Sequence, residues 1–162
     1  PWGTKIRAMA ELVRGMGCAA DSIDYQGIAD PTERVGKCVR ECAGLSDRLI
    51  LVGSSMGGHV ATAAAAQVGA AGLFLLAPAY YMEGYEDLTP DPPSMPICVV
   101  HGWHDDVVPV EYSIRYARSC SATLHIVDGD HRLTGNIDEI SEYLRYFVNE
   151  ISGQFSESGG EK

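Results

Sequence analysis

Apolar and polar positions alternate along this chain with two periods, and the switches between them mark out the elements. From Thr4 to Met16, Ile6, Met9, Ala10, Val13 and Met16 recur at helical spacing, and Gly15 and Gly17 end the pattern. Cys18 to Ile23 is a short run of mostly small and apolar residues that predicts a strand leading into the loop Asp24-Tyr25-Gln26-Gly27. A second helix is announced by Asp30 as cap, Pro31 at its first position and Glu33 at the capping-box position, with Val35, Cys38, Val39 and Cys42 as its buried stripe.

Arg48 to Val52, Gly72 to Ala77, Pro96 to His101 and Ala122 to Val127 are short apolar runs of the kind buried on both faces of a parallel sheet. An alanine-rich helix from His59 to Val68 follows the first. After the second comes a loop rich in proline and acidic residues, too short and broken for a cap domain. Pro109 starts a helix after the third, and Asn136 with Glu139 announces the last helix, striped by Ile137, Ile140, Leu144, Phe147, Val148 and Ile151. Alternating strands and helices predict a three-layer α/β/α domain with a mainly parallel sheet and right-handed crossovers, spanning residues 1–152. The glycine, serine and charged residues of 153–162 predict a disordered tail.

Composition narrows the partners. The formal net charge of -10 sets the chain against nucleic acid and anionic membrane surfaces, and a neutral or cationic small molecule suits it better. The five cysteines lack paired short spacings, so they are expected as reduced core residues rather than a disulfide framework or zinc site. With no apolar run near the length of a membrane span and no signal-peptide pattern, the default expectation is a cytoplasmic protein.

The chemistry sits at strand ends, where open α/β sheets bind ligands. Gly53-Ser54-Ser55-Met56-Gly57 fits G-x-S-x-G at a strand-to-helix turn, with Ser55 at its apex and a glycine two residues to either side to avoid a clash. A dinucleotide fingerprint would need glycine where Ser55 stands. A serine nucleophile needs a base and a group to orient it. Two later loops supply them: His101-Gly102-Trp103-His104-Asp105-Asp106-Val107-Val108-Pro109 and Asp128-Gly129-Asp130-His131. Asp106 competes with Asp105 for the orienting role. Asp128 and Asp130 lie too near His131 along the chain to turn back to its ring and are expected to shape its loop. His101 is expected as a buried, hydrogen-bonded strand end, His104 as exposed and His59 as packing; a metal site from His101, His104 and Asp105 is not expected.

With G-S-S-M-G-G, H-G-x-x-D-x-x-V-P and G-x-H in that order, the chain resembles the α/β-hydrolase superfamily, in particular its small cap-less serine esterases, dienelactone-hydrolase-like and short-chain acyl esterases. The resemblance implies Ser55 as nucleophile, Asp105 as orienting carboxylate, His131 as base and then acid, and the Met56 backbone N–H as one oxyanion donor. It implies no cofactor and no metal, and a small ester as substrate. A homodimer, a thioesterase or peptidase using the same residues, and a non-catalytic binding protein on the same fold stay open. Tyr80, Tyr81 and Trp103 follow strand ends and could line a pocket. The resemblance also implies a strand and loop ahead of the first helix, on roughly 10 to 15 residues upstream of Pro1 at ~3.3 Å per residue, with the second oxyanion donor at Trp2 or before it.

Overall fold

In a computed structural model, residues 2–45 and 48–158 are described, without the side chains from 154 on. Four strands form one parallel sheet in the order β1-β2-β3-β4: Ile50–Ser54, Gly72–Leu76, Ile97–Gly102 and Thr123–Val127. Sequential strands are neighbours throughout, in the registers Val52 with Phe74, Phe74 with Cys98 and Val100 with His125. Five helices, α1 (Thr4–Gly15), α2 (Pro31–Cys42), α3 (Met56–Ala65), α4 (Val110–Cys120) and α5 (Ile137–Ser158), cover the two faces.

The period of two along β2 explains the layers, since successive side chains leave a strand on opposite faces. Leu73 and Leu75 join a core with Cys38 and Cys42 of α2, Val60, Ala61, Ala64 and Ala65 of α3, and Tyr116 of α4. Phe74 and Leu76 join the opposite core with Met9 of α1 and Ile140, Leu144, Phe147, Val148 and Ile151 of α5. All five β2 residues are buried, as its continuous apolar run requires. The alanines of α3 are what bring that helix close to the sheet: Ala64 and Ala65 have no exposed surface.

Local signals decide the helix starts. Asp30 accepts a hydrogen bond from the Glu33 N–H at 2.9 Å, with Pro31 in the first turn of α2, as its capping pattern predicts. Asn136 behaves differently. Its amide donates to Glu139 Oε2 at 2.8 Å and to the Asp128 carbonyl at 3.2 Å, so it ties α5 to the loop after β4 instead of accepting from the helix.

One expectation needs correction. Cys18 to Ile23 is irregular rather than a strand. Ala19, Ala20, Asp21 and Ser22 are weak strand formers, and the run has no ladder partner among the described residues; Ile23 and Tyr25 instead pack half-buried against the core under α2. The described part of α5 ends at Ser158, and the rest of the expected tail, residues 159–162, lies outside the described residues. β1 pairs with β2 alone among the described strands, and Val52 at its middle is 39% exposed. No helix among the described residues is long and apolar enough to cross a membrane.

Candidate active site

Ser55 joins β1 to α3 with φ 54 and ψ -122, a conformation rare for a residue with a Cβ. Such a backbone costs on the order of 1 to 3 kcal/mol and persists only where its surroundings over-determine it. Here they do. The Ser55 N–H donates to the Leu76 carbonyl at 2.9 Å, and its own carbonyl accepts from Gly58, His59 and Ala79 at 2.9, 3.3 and 3.0 Å.

The flanking glycines have unequal duties. A Cβ on Gly53 would collide with the Gly57 carbonyl, so only glycine fits there. A Cβ on Gly57 would meet nothing within 4 Å, which corrects the symmetric reading of the motif; the tight second position is Gly58, against Pro78. Met56 is the first residue of α3, so its N–H has no acceptor within the helix and lies at the positive end of the helix dipole.

His131 Nε2 lies 3.1 Å from Ser55 Oγ, and His131 Nδ1 lies 2.7 Å from Asp105 Oδ2. Three strand ends, those of β1, β3 and β4, thus bring the predicted serine, acid and histidine together in one hydrogen-bonded line. The Asp105 side chain is fully buried and that of His131 is 20% exposed. Burial by itself would raise the Asp105 carboxyl. The Val108 N–H, the His131 ring and the Val107 N–H more than offset that, and its pKa falls below the usual carboxylate value.

The competing carboxylates are occupied elsewhere. Asp106 is exposed; Asp128 pairs with the exposed His104 at 2.9 Å; Asp130 Oδ1 accepts from the Leu133 N–H at 2.9 Å and shapes the turn behind His131. His59 is buried on α3, with its ring hydrogen-bonded at the Ala79 backbone.

The aromatic residues separate. Tyr80 has no exposed surface, stacks on Tyr116 with ring centroids 4.1 Å apart and bonds Thr62 at 2.5 Å; it belongs to the core and cannot line an open pocket. Tyr81, at φ 50, lies half-buried under the Arg115 guanidinium at 4.0 Å. Trp103 is 57% exposed on the loop that carries Asp105. The Trp2 ring sits under Arg14 at 5.2 Å and its carbonyl accepts from Arg7; neither contact reaches Ser55.

One residue absent from the sequence reading adjoins the site. Lys5, in the first turn of α1, donates from Nζ to Ser54 Oγ at 3.0 Å. Burial pushes its ammonium below the usual lysine value, while Asp130 and Asp105 pull it back up. No local pattern marks this lysine, because its proximity depends on how α1 packs across the sheet.

No family model matches the chain, and no curated protein matches it in sequence. Solved structures do. A protein from Xanthomonas campestris pv. campestris assigned to the α/β hydrolase superfamily is 26% identical, with a TM-score of 0.82 over 90% of this chain and 88% of that one. Est1E from Butyrivibrio proteoclasticus is 18% identical, with a TM-score of 0.79 over 93% of this chain and 83% of its own. A second Xanthomonas campestris protein, described as an α/β serine hydrolase without lid, is 22% identical, with a TM-score of 0.62 over 90% of this chain and 72% of its own.

Proposed function

We propose that this chain, whose fold is that of the cap-less α/β hydrolases, is a serine hydrolase of small carboxylic esters. The observation that carries the reading is the line Ser55 Oγ to His131 Nε2 to Asp105 at 3.1 and 2.7 Å, on a serine held at positive φ. Asp105 accepts the Nδ1 proton of His131, which leaves Nε2 bare and ready to accept one from Ser55. Ser55 Oγ attacks the ester carbonyl as its proton passes to Nε2. The carbonyl oxygen gains the negative charge and is held by the Met56 N–H. The tetrahedral adduct collapses, the alcohol leaves with the proton from His131, and an acyl group remains on Ser55. Water, deprotonated by the same histidine, then releases the acid and restores the hydroxyl. The sequence uses no cofactor. Trp103, exposed on the loop that carries Asp105, and the half-buried Tyr81 are the aromatic walls this reading gives the pocket.

A serine-reactive phosphonate tests the reading. Labelling of Ser55 in the wild type and its loss in His131→Ala supports a hydrolase; an unlabelled wild type favours a binding protein on the same fold. Turnover of matched ester, thioester and amide substrates then separates esterase from thioesterase and peptidase.

A further inference from the structure

A second histidine closes on Asp105. His101 Nε2 lies 3.0 Å from Asp105 Oδ2, the oxygen that also faces His131, and both side chains of this pair are fully buried. The rest of the His101 ring is equally fixed: Nε2 is 2.9 Å from the Val108 carbonyl, and Nδ1 is 2.7 Å from Ser113 Oγ on α4, a serine with no exposed surface. The tautomer follows from these partners. The Val108 carbonyl and the carboxylate can only accept, so Nε2 carries the proton, and Nδ1 accepts from the Ser113 hydroxyl. Burial, which lowers the pKa of His101, keeps that ring neutral against the opposing pull of the Val108 carbonyl and Asp105.

The carboxylate is therefore saturated. Oδ1 accepts from the Val107 and Val108 N–H groups at 2.9 and 2.8 Å, and Oδ2 accepts from His131 at 2.7 Å and lies 3.0 Å from His101 Nε2, whose one N–H it shares with the Val108 carbonyl. We infer that His101 is a positioning residue of the reaction: its Nε2–H fixes which face of Oδ2 meets His131 and, with Ser113 holding its tautomer, keeps Asp105 a carboxylate that orients the His131 proton without taking it. A carboxylate short of one donor is the stronger base and is free to rotate. The inference rests on the hydrolase reading for its kinetic consequences and on geometry alone for its spectroscopic one. The other charged groups bearing on the site, Asp130 on the His131 loop and Lys5 on α1, stay the same in every variant below.

The test compares His101→Leu, His101→Gln and wild type by the low-field NMR resonance of the His131 Nδ1 proton, and by kcat, KM and the pH profile on whichever ester the wild type turns over. We expect the Leu variant to shift that resonance, to lose about ten- to hundredfold in kcat with KM unchanged, as removal of outer-shell partners does elsewhere, and to move the acidic limb of the profile upward. The Gln variant, whose amide N–H can reach Oδ2, recovers most of the loss. A Leu variant with the wild-type resonance, or Leu and Gln variants that lose kcat equally with the limb unmoved, overturns the inference and leaves His101 a packing residue. If the wild type hydrolyses no ester, the hydrolase reading fails and the resonance alone decides. If the Leu variant does not fold, Ser113→Ala, which frees the tautomer of His101, replaces it with the same readouts.

Discussion

Gly102 and Gly129 face each other so closely that a Cβ on Gly102 would run into the Gly129 carbonyl. One glycine begins the loop that carries Asp105 and the other the loop that carries His131, and the loops are further stapled by the His104 N–H on the Gly129 carbonyl at 3.0 Å and the Trp103 N–H on the Val127 carbonyl at 2.9 Å. Gly102→Ala must drive the two loops apart. We expect it to lower the proposed hydrolase activity at least a hundredfold, since a displacement of about 1 Å suffices for that, with a lower melting temperature. Wild-type kcat in a well-folded Gly102→Ala protein would show that the loops yield without moving the acid and the histidine.

Ser55→Ala is expected to lower kcat about a millionfold, and His131→Ala by about as much, because residues acting as a unit are not additive. The double variant should be no worse than either single one. Active-site titration of purified protein checks this.

Asp105→Asn should cost about ten-thousandfold, since the Val107 and Val108 N–H groups hold the amide oxygen and leave its NH2 facing His131 Nδ1, which forces the wrong tautomer, whereas Asp106→Asn, at an exposed side chain, should leave kcat within a factor of two or so. A larger effect at Asp106 than at Asp105 in steady-state kinetics would reverse the assignment.

The elbow glycines predict a contrast. Gly53→Ala places a methyl group on the Gly57 carbonyl and should cost several kcal/mol of stability, in the range of severe overpacking, while Gly57→Ala enters open space and should be nearly neutral or slightly stabilising for α3. Urea unfolding of the two variants measures the difference.

Stability should fall with acid in two stages. His59, His101 and His125 are each held below the ordinary histidine value by burial. In the unfolded chain they take up protons as pH falls through about 6.5, while the folded chain resists, so the unfolded state binds more protons and is favoured. Asp105 acts lower down: its depressed folded value gives stability that is present above about 3.9 and lost as pH falls through that folded value. Thermal melts should show a lower midpoint at pH 5 than at pH 7 and a steeper loss below pH 4. A midpoint unchanged between pH 7 and pH 5 would contradict the histidine part.

What could be read from the chain beforehand was whatever one element states by itself. The apolar runs Arg48 to Val52, Gly72 to Ala77, Pro96 to His101 and Ala122 to Val127 fall on the four parallel strands, and the rule that sites sit at strand ends picks out the loops holding Ser55, Asp105 and His131. What could not be read depends on two elements at once. Cys18 to Ile23 is a short run of mostly small and apolar residues, yet a strand exists only with a ladder partner. Tyr80 follows a strand end as a pocket residue would, but its burial is set by Tyr116 and Thr62, from other helices. Lys5 reaches Ser54 only through the packing of α1, and the bond from His101 to Asp105 needs the Val107-Val108 turn to fold the carboxylate back.

The hydrogen bonds that join the serine, histidine and acid span 76 and 26 residues of chain. Contacts of such separation form only after the loop-closure entropy of the intervening strands has been met, so they come late in folding. Ser55 and His131, on the ends of the first and last of the described strands, become neighbours only when β2 and β3 are in place between β1 and β4. The site therefore doubles as a gauge of completion: a chain that has collapsed without finishing its sheet has all the chemistry in its sequence and none of it in position.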